Sequence, residues 1–314
     1  MSSLRIGTRK SPLALWQAER VKGLLAARGQ AAELVRITTT GDRILDRPLA
    51  EVGGKGLFVK ELEEALRDGR ADLAVHSAKD VPFELPEEFG LCAFPEREDP
   101  RDALVAPRAR TWERLAKGSR VGTSSLRRAA QLLSVRPDLV IVPVRGNVQT
   151  RLSKAVQGPL DAVVLALAGL RRLGLEEHVT EVLPVEVSLP AAGQGALAIE
   201  ARRGSRGFSA AAPLDDAETS ICVRAERALL AKLSGGCTLP LAAYAARDGA
   251  GLHLRAALGG PDGSGGVKLV RAEGRGAQPE ELGAQVAAKL LAAGAGPLLE
   301  AARAQAGGLP APKR

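Results

Sequence analysis

The chain is poor in the residue types that several binding classes require. Its 314 residues include only five Phe, two Trp and one Tyr, and none interleaves with a basic cluster to build a base-stacking platform. Zinc-finger, RNP and basic-zipper patterns are also missing, so nucleic acid is not an expected partner. The three cysteines, Cys92, Cys222 and Cys237, are widely spaced and odd in number with no C-x-x-C pair, which argues against both a disulfide framework and a zinc site. His76, His178 and His253 are isolated, so a metal centre would have to be all oxygen, and no metal is expected. No apolar run approaches the ~18 residues that span a bilayer; the most continuous, Ala162 to Leu170, is about half that. The basic start, Met1 to Lys10, is followed by apolar residues broken by Gln17, Glu19 and Arg20, so no signal-peptide core forms. The expectation is a cytoplasmic protein without a membrane partner.

What the chain does have is arginine. It carries 44 basic and 36 acidic residues, a formal net charge of +8, and 33 of the 44 are Arg when read along the sequence. Guanidinium suits bidentate grip on carboxylate or phosphate. A G·C-rich coding bias would also enrich Ala, Gly, Pro and Arg while depleting Phe, Tyr and Lys, so only the positions of the arginines can decide.

At about 150 residues per domain, 314 residues predict two or three domains. The first half alternates strands with helices, the grammar of a parallel α/β sheet. Leu4 to Thr8 reads as a strand, Ser11-Pro12 as N-cap and first residue of a helix to about Arg28, Leu34 to Thr39 as a strand, Leu57 to Leu66 as a helix and Leu73 to His76 as a strand. The unit recurs at Val121, with Gly122-Thr123-Ser124-Ser125 opening a helix to Leu133, then strand Leu139 to Val144, turn Arg145-Gly146-Asn147, a helix, and strand Ala162 to Leu165. After about Leu189 the pattern changes to a long helix (Asp215 to Leu233), short strands (Leu241 to Ala246, Leu252 to Leu258, Val267 to Ala272) and Ala-rich helices. That order predicts a separate α+β domain, with Gly259 to Gly266 as a surface turn.

Polar clusters fall where predicted strands end and helices begin, the edge at which open α/β sheets bind ligands. Arg9 and Ser11 share one junction, Lys79 and Asp80 another, Thr123, Ser124, Ser125, Arg127 and Arg128 a third, and Arg145, Asn147 and Arg151 a fourth. Together the arginines form a candidate polyanion cradle, against the simpler reading of solvated surface side chains. Arg127-Arg128 opens a helix against its dipole and calls for an anion to offset it. Asp80 is the carboxylate that stands out, in a segment without other acids from Ala74 to Phe83. In a basic cleft it could stabilise a cation or shuttle protons; by spacing alone an ordinary Asp beside Lys79 fits better. Cys237 follows Gly235-Gly236, where a backbone can approach closely and a thiol is uncrowded, as a covalent attachment point needs; a buried small hydrophobe fits it equally, and fits Cys92 and Cys222 better. Gly193-Gln194-Gly195-Ala196-Leu197-Ala198 mimics a dinucleotide fingerprint but lacks the preceding strand and following helix. Gly53-Gly54-Lys55-Gly56 lacks P-loop spacing.

In collinear order, Arg9-Lys10-Ser11-Pro12-Leu13-Ala14-Leu15, Gly53-Gly54-Lys55-Gly56-Leu57-Phe58, His76-Ser77-Ala78-Lys79-Asp80-Val81-Pro82, Gly122-Thr123-Ser124-Ser125-Leu126-Arg127-Arg128, Arg145-Gly146-Asn147-Val148, Ala192-Gly193-Gln194-Gly195-Ala196 and Gly235-Gly236-Cys237 closely resemble the porphobilinogen deaminase (hydroxymethylbilane synthase) family, from Arg5 to about Tyr244. The resemblance implies two periplasmic-binding-protein-like α/β lobes, 1–97 completed by about 192–213 and 98–191, plus a small C-terminal α+β domain, 214–314, bearing the cofactor cysteine. It implies a transferase of tetrapyrrole biosynthesis that joins four porphobilinogen molecules head to tail, releasing ammonia each time, on a dipyrromethane cofactor held by a thioether to Cys237, and then frees hydroxymethylbilane by hydrolysis. Asp80 matches the catalytic aspartate. Arg9, Ser11, Lys79, Thr123, Ser125, Arg127, Arg128, Arg145, Asn147 and Arg151 would bind cofactor and substrate carboxylates, while Lys55, Phe58, His76, Ser77 and Gln194 would lie at the cleft and its mobile loop. Ala78 and Gln149 depart from the family pattern, where a larger residue and a glycine are common. The alternative is a non-catalytic two-lobed anion-binding protein. No long exposed apolar stripe is legible, so a monomer is expected.

Overall fold

The structure, a computed structural model, describes residues 3–39, 59–233, 239–264 and 266–304. Two five-stranded sheets share one plan. The first contains β1 (Leu4–Arg9), β2 (Ala32–Ile37), β3 (Leu73–Ser77) and β4 (Phe89–Ala93); the second contains β5 (Asp102–Val105), β6 (Arg120–Gly122), β7 (Val140–Val142), β8 (Ala162–Ala166) and β9 (Glu181–Val182). The chain then returns to the first sheet as β10 (Leu197–Arg202). The orders are β2-β1-β3-β10-β4 and β7-β6-β8-β5-β9. In each, three parallel strands are followed by one antiparallel strand that enters directly from a crossover between lobes.

Strand alternation assigns each side chain to a face. In the first lobe Leu73 and Val75 pack with α1 (Pro12–Ala26), whereas Ala74 packs with Leu62 and Leu66 of α2 (Lys60–Arg67). In the second, Leu104, Val121 and Val164 face α3 (Leu126–Val135), and Ala103, Val105 and Val163 face α4 (Val148–Val156) and α5 (Leu167–Arg172). Leu104 and Leu132 are fully buried; truncating either to Ala should cost about 2–5 kcal/mol. Helices α1, α3 and α4 start just beyond the carboxyl ends of β1, β6 and β7. Each is capped from its own sequence, by Ser11 (Ala14 N–H, 3.3 Å), Ser125 (Arg128 N–H, 3.4 Å) and Asn147 (Thr150 N–H, 2.8 Å). The positive ends of three helices therefore lie along the carboxyl edges of the sheets.

After the short helix α6 (Arg206–Ala211), the third domain packs α7 (Ala217–Lys232), α8 (Pro279–Leu290) and α9 (Gly296–Ala304) on an antiparallel sheet of β11 (Leu241–Asp248), β12 (Gly251–Pro261) and β13 (Val267–Gly276). One sequence expectation is corrected here. Gly259 and Gly260 do not begin a surface turn. They extend β12, buried against Ala130 of α3 and Leu298 of α9, and a Cβ at 259 would stand 2.2 Å from the Ala130 Cβ. In addition, the stretch Pro279–Ala304 is long and apolar enough to cross a membrane by length and composition, although no continuous apolar run flags it. Its apolar side is engaged in the core of the third domain, through Leu282, Val286, Leu290, Leu298 and Leu299, and Gly294 (φ 97°) breaks it between α8 and α9.

Candidate active site

The last residues of β3 diverge by strand alternation. Ser77 points toward α1 and its hydroxyl accepts from Gln17 Nε2 at 2.8 Å. His76 points the other way, buried inside the first lobe with its Nε2 2.9 Å from Glu200 Oε2 on β10. The structure thus places His76 in the lobe interior and not at a cleft, because it is one residue out of phase with Ser77. A single 3₁₀ turn, Ala78–Asp80, follows. It leaves Ala78 buried, Lys79 half-buried and Asp80 exposed. Lys79 Nζ donates to Gln194 Oε1 at 3.4 Å. Burial pulls the Lys79 pKa down to about 8, with Asp80 and Asp102 opposing the fall and Arg128 and Arg127 adding to it. By the parallel β1–β3 register, Arg9 ends β1 at the same edge, half-buried.

In the second lobe, Thr123 is buried and its Oγ1 accepts from the Ser125 N–H at 3.1 Å, which shapes the turn into α3. The anion that Arg127-Arg128 calls for is internal. Asp102, fully buried at the start of β5, accepts from Arg127 Nη2 at 2.9 Å and from Arg128 Nε and Nη2 at 3.0 and 2.7 Å. Arg127 Nη1 also donates to the Leu189 carbonyl, and Arg128 Nη1 to that of Val164. Burial would raise the Asp102 pKa, but the two guanidiniums outweigh it and hold the carboxyl well below the usual range. Arg145 and Arg151 are half-buried. Arg151 Nε donates to the Gly146 carbonyl at 2.8 Å. Burial lowers its pKa, with Arg128 and Arg145 adding to the fall and Asp80 opposing it. The arrangement therefore sets Lys79 in electrostatic reach of Asp80, Arg127 and Arg128, and Arg151 in reach of Asp80, Arg128 and Arg145, with Gln194 hydrogen-bonded to Lys79 and Arg128. Ser11 and Asn147 serve as helix caps beside them.

The second crossover closes this edge. Gln194, 1% exposed, donates from Nε2 to Asp102 Oδ1 (2.8 Å) and to the Pro100 carbonyl (2.6 Å). The glycines around it have packing reasons unrelated to a dinucleotide. Gly193 (φ 71°) lies where a Cβ would stand 3.0 Å from the Lys79 nitrogen, and Gly195 (φ 88°) where one would stand 2.2 Å from the Glu98 carbonyl oxygen. Helix α7 supports the edge from behind, since Arg227 donates to the carbonyls of Val81, Pro82 and Phe83, immediately after Asp80.

Two residues buried behind this edge escape a reading by motif. Asp102 carries one signal in hindsight, an acid set directly against the apolar run Ala103 to Ala106. Arg172, at the end of α5, is 9% exposed, donates from Nη2 to the Gly195 carbonyl at 2.6 Å and lies over the Trp16 ring at 5.6 Å. Burial lowers its pKa to about 10, with Glu98 opposing. Lys55, Phe58 and Cys237 lie outside the described residues. Both other cysteines are accounted for: burial pushes the Cys92 thiol up to about 12 and the Cys222 thiol up to about 11.

Fold and site together define a two-lobed α/β protein whose crossovers frame an arginine-rich edge around an exposed aspartate. A family model described as porphobilinogen deaminase, dipyrromethane cofactor binding domain, matches residues 4–209, and one for the porphobilinogen deaminase C-terminal domain matches residues 220–292. A curated porphobilinogen deaminase from Syntrophotalea carbinolica is 55% identical over 303 residues, 96% of this chain and 96% of that protein. The chain belongs to the porphobilinogen deaminase family, and its first 200 or so residues form the dipyrromethane cofactor binding domain. Among solved structures, the methionine binding protein MetQ is 14% identical with a TM-score of 0.43, covering 68% of this chain and 89% of that one. Immunogenic lipoprotein A from Vibrio vulnificus is 13% identical with a TM-score of 0.43, covering 69% and 96%.

Proposed function

We propose that this chain is a hydroxymethylbilane synthase. It joins four porphobilinogen molecules head to tail on a dipyrromethane held by a thioether at Cys237, then releases the linear tetrapyrrole by hydrolysis. The observation that carries the reading is an exposed Asp80 set among Lys79, Arg145 and Arg151, above the buried pair Arg127 and Arg128.

The residues present suit a carboxylate-rich group. Guanidiniums and capped helix starts line the edge, all of them hydrogen-bond donors suited to carboxylate oxygens. Arg9, Arg145, Arg151 and Lys79 would grip acetate and propionate side chains, while Thr123, Ser125, Ser11 and Asn147 hold the helix starts beneath them. When bound, the dipyrromethane supplies the free pyrrole end that accepts the first substrate. As the protonated amino group of porphobilinogen's aminomethyl side chain leaves as ammonia by breaking the CH2–N bond, positive charge develops on the substrate pyrrole and on the methylene carbon that remains. The Asp80 carboxylate opposes that charge and takes the proton that the new carbon–carbon bond displaces. Lys79, while protonated, anchors a substrate carboxylate next to Asp80. Cys92 and Cys222 are poor attachment points, because a thiol held at about 12 or 11 forms little thiolate. The same reading divides the chain into 1–97 with 192–213, 98–191 and 214–314, and makes it a cytoplasmic monomer with neither nucleic-acid nor membrane partner.

Intact mass tests the proposal. Protein expressed where porphobilinogen is available should be heavier than its sequence by one dipyrromethane, the excess should vanish in Cys237→Ser, and the wild type should consume porphobilinogen. An unmodified wild type that binds carboxylates but consumes no porphobilinogen would establish the anion-binding alternative instead.

A further inference from the structure

Asp102 does not reach the exposed edge, yet five hydrogen bonds from three segments converge on it. Arg127 and Arg128 come from α3. Ser188 Oγ (2.7 Å) and Gln194 Nε2 (2.8 Å) come from opposite ends of the second crossover. Asp102 itself opens β5 at the end of the first crossover, and Gln194 Nε2 also holds the Pro100 carbonyl there. Every acceptor site that the carboxylate presents to these segments is used, so the two guanidinium planes are fixed by it and cannot swing toward solvent without breaking a buried ion pair.

The amide of Gln194 extends this hub into the other lobe. With Nε2 committed to Asp102 and Pro100, Oε1 is turned toward Lys79 Nζ at 3.4 Å and Arg128 Nη2 at 3.5 Å. Gly193 allows the approach, because any side chain there would collide with Ala78 and the Lys79 backbone. We propose that Asp102 is a positioning residue for the reaction: through Gln194 and the Arg127–Arg128 pair it sets where the Lys79 ammonium sits beside Asp80. Asp102 thereby ties the geometry of the second lobe to the reacting edge of the first. This inference rests on the synthase reading above.

The charged groups facing Lys79 are Asp80 on its own turn, Asp102 on β5, and Arg127 and Arg128 on α3. Removing the Asp102 charge leaves the two guanidiniums unopposed, so Lys79 should lose its proton at lower pH than in the wild type. A charge within a few ångströms shifts a partner by about 1–3 pH units, and the loss here is indirect, so a shift of about one unit is expected.

The test uses holoenzymes whose cofactor load has been checked by intact mass. Asp102→Asn should lower kcat about tenfold or more with a smaller change in KM, and should move the alkaline limb of the kcat profile, expected near pH 8 in the wild type, down by about one unit. Gln194→Ala keeps the Asp102 ion pairs and removes only the link, so it should move the same limb in the same direction by less. A folded, loaded Asp102→Asn that melts earlier but keeps the wild-type limb overturns the proposal and leaves Asp102 a purely structural ion pair. If Asp102→Asn does not fold, Gln194→Ala decides: an unmoved limb overturns the proposal equally. Failure of the wild type itself to consume porphobilinogen would instead remove the synthase reading.

Discussion

Two fully buried carboxylates hold neighbouring residues of the same crossover, and their surroundings differ in one respect. Glu226, on α7, accepts from Arg97 Nη1 and Nη2 (2.8 and 3.2 Å) and from the backbone N–H groups of Gly193 (2.6 Å) and Ala245 (2.9 Å). One negative charge meets one positive charge, and neutral donors fill the rest. Arg97 completes the seal, with Nε on the Gln194 carbonyl at 2.8 Å and its guanidinium 5.5 Å from the Tyr244 ring. Asp102 has one negative charge but faces two guanidiniums, with Lys79 close by. The first hub is balanced and fastens the third domain to the crossover. The second is built with cationic charge in excess, and an excess held in place by a buried anion is what a site for carboxylate-bearing substrates requires. The number of arginines matters less than whether their charge is balanced.

The contrast can be broken by separating activity from stability. The largest effect is expected at Asp80, which is exposed and is not part of either hub. Asp80→Ala should lower turnover about 10²- to 10⁴-fold while leaving the thermal midpoint and the cofactor mass unchanged. A large drop in the midpoint would mean that Asp80 supports the fold, and the reading of its role would have to change. The next effect is the converse. Glu226→Gln strands the Arg97 guanidinium in a buried site and should cost about 3–5 kcal/mol in denaturant titrations. The protein that remains folded and loaded should turn over at near the wild-type rate. If Glu226→Gln instead altered KM or the pH profile with little loss of stability, the two hubs would not differ in kind.

Much of the architecture was legible because it follows from local periodicity. The strand-to-helix junctions were readable, Ser11 from cap chemistry and the other two from the turns Gly122-Thr123-Ser124-Ser125 and Arg145-Gly146-Asn147; in the structure Ser11, Ser125 and Asn147 all cap helices. The third domain's three strands were placed in order, although the glycines at 259 and 260 suggested a turn; what makes them strand is contact with Ala130 and Leu298, residues far away in sequence. For the same reason the partner of Arg127 and Arg128 could not be read. The dipole argument showed that an anion was needed, but only the fold shows that Asp102 supplies it from within. His76 was drawn to the cleft by its place in a motif, whereas a period of two puts it on the opposite face from Ser77, against Glu200.

The smallest expected effect concerns a carboxylate with no guanidinium hydrogen-bonded to it among the described residues. Glu63, half-buried on α2, is raised to about 7 by burial and by Glu200, with His76 and Arg67 opposing and Glu88 adding to the rise. Between the unfolded carboxylate range and pH 7 the folded state therefore binds more protons than the unfolded one, so this group's contribution to stability falls as pH rises through that window. Glu63→Gln stays neutral and should lose that dependence. Its thermal midpoint should match the wild type near pH 5 and exceed it slightly at pH 8. Asp72 gives the opposite sign: burial would raise it, but Arg206 and Arg5 hold it at about 2, so its contribution is present above the usual carboxylate range and fades only in acid. A wild-type midpoint unchanged from pH 5 to 8 while Glu63→Gln also stays flat would show that Glu63 is solvated. It would then no longer serve as the counterpart to Asp102 and Glu226 that lacks a hydrogen-bonded guanidinium.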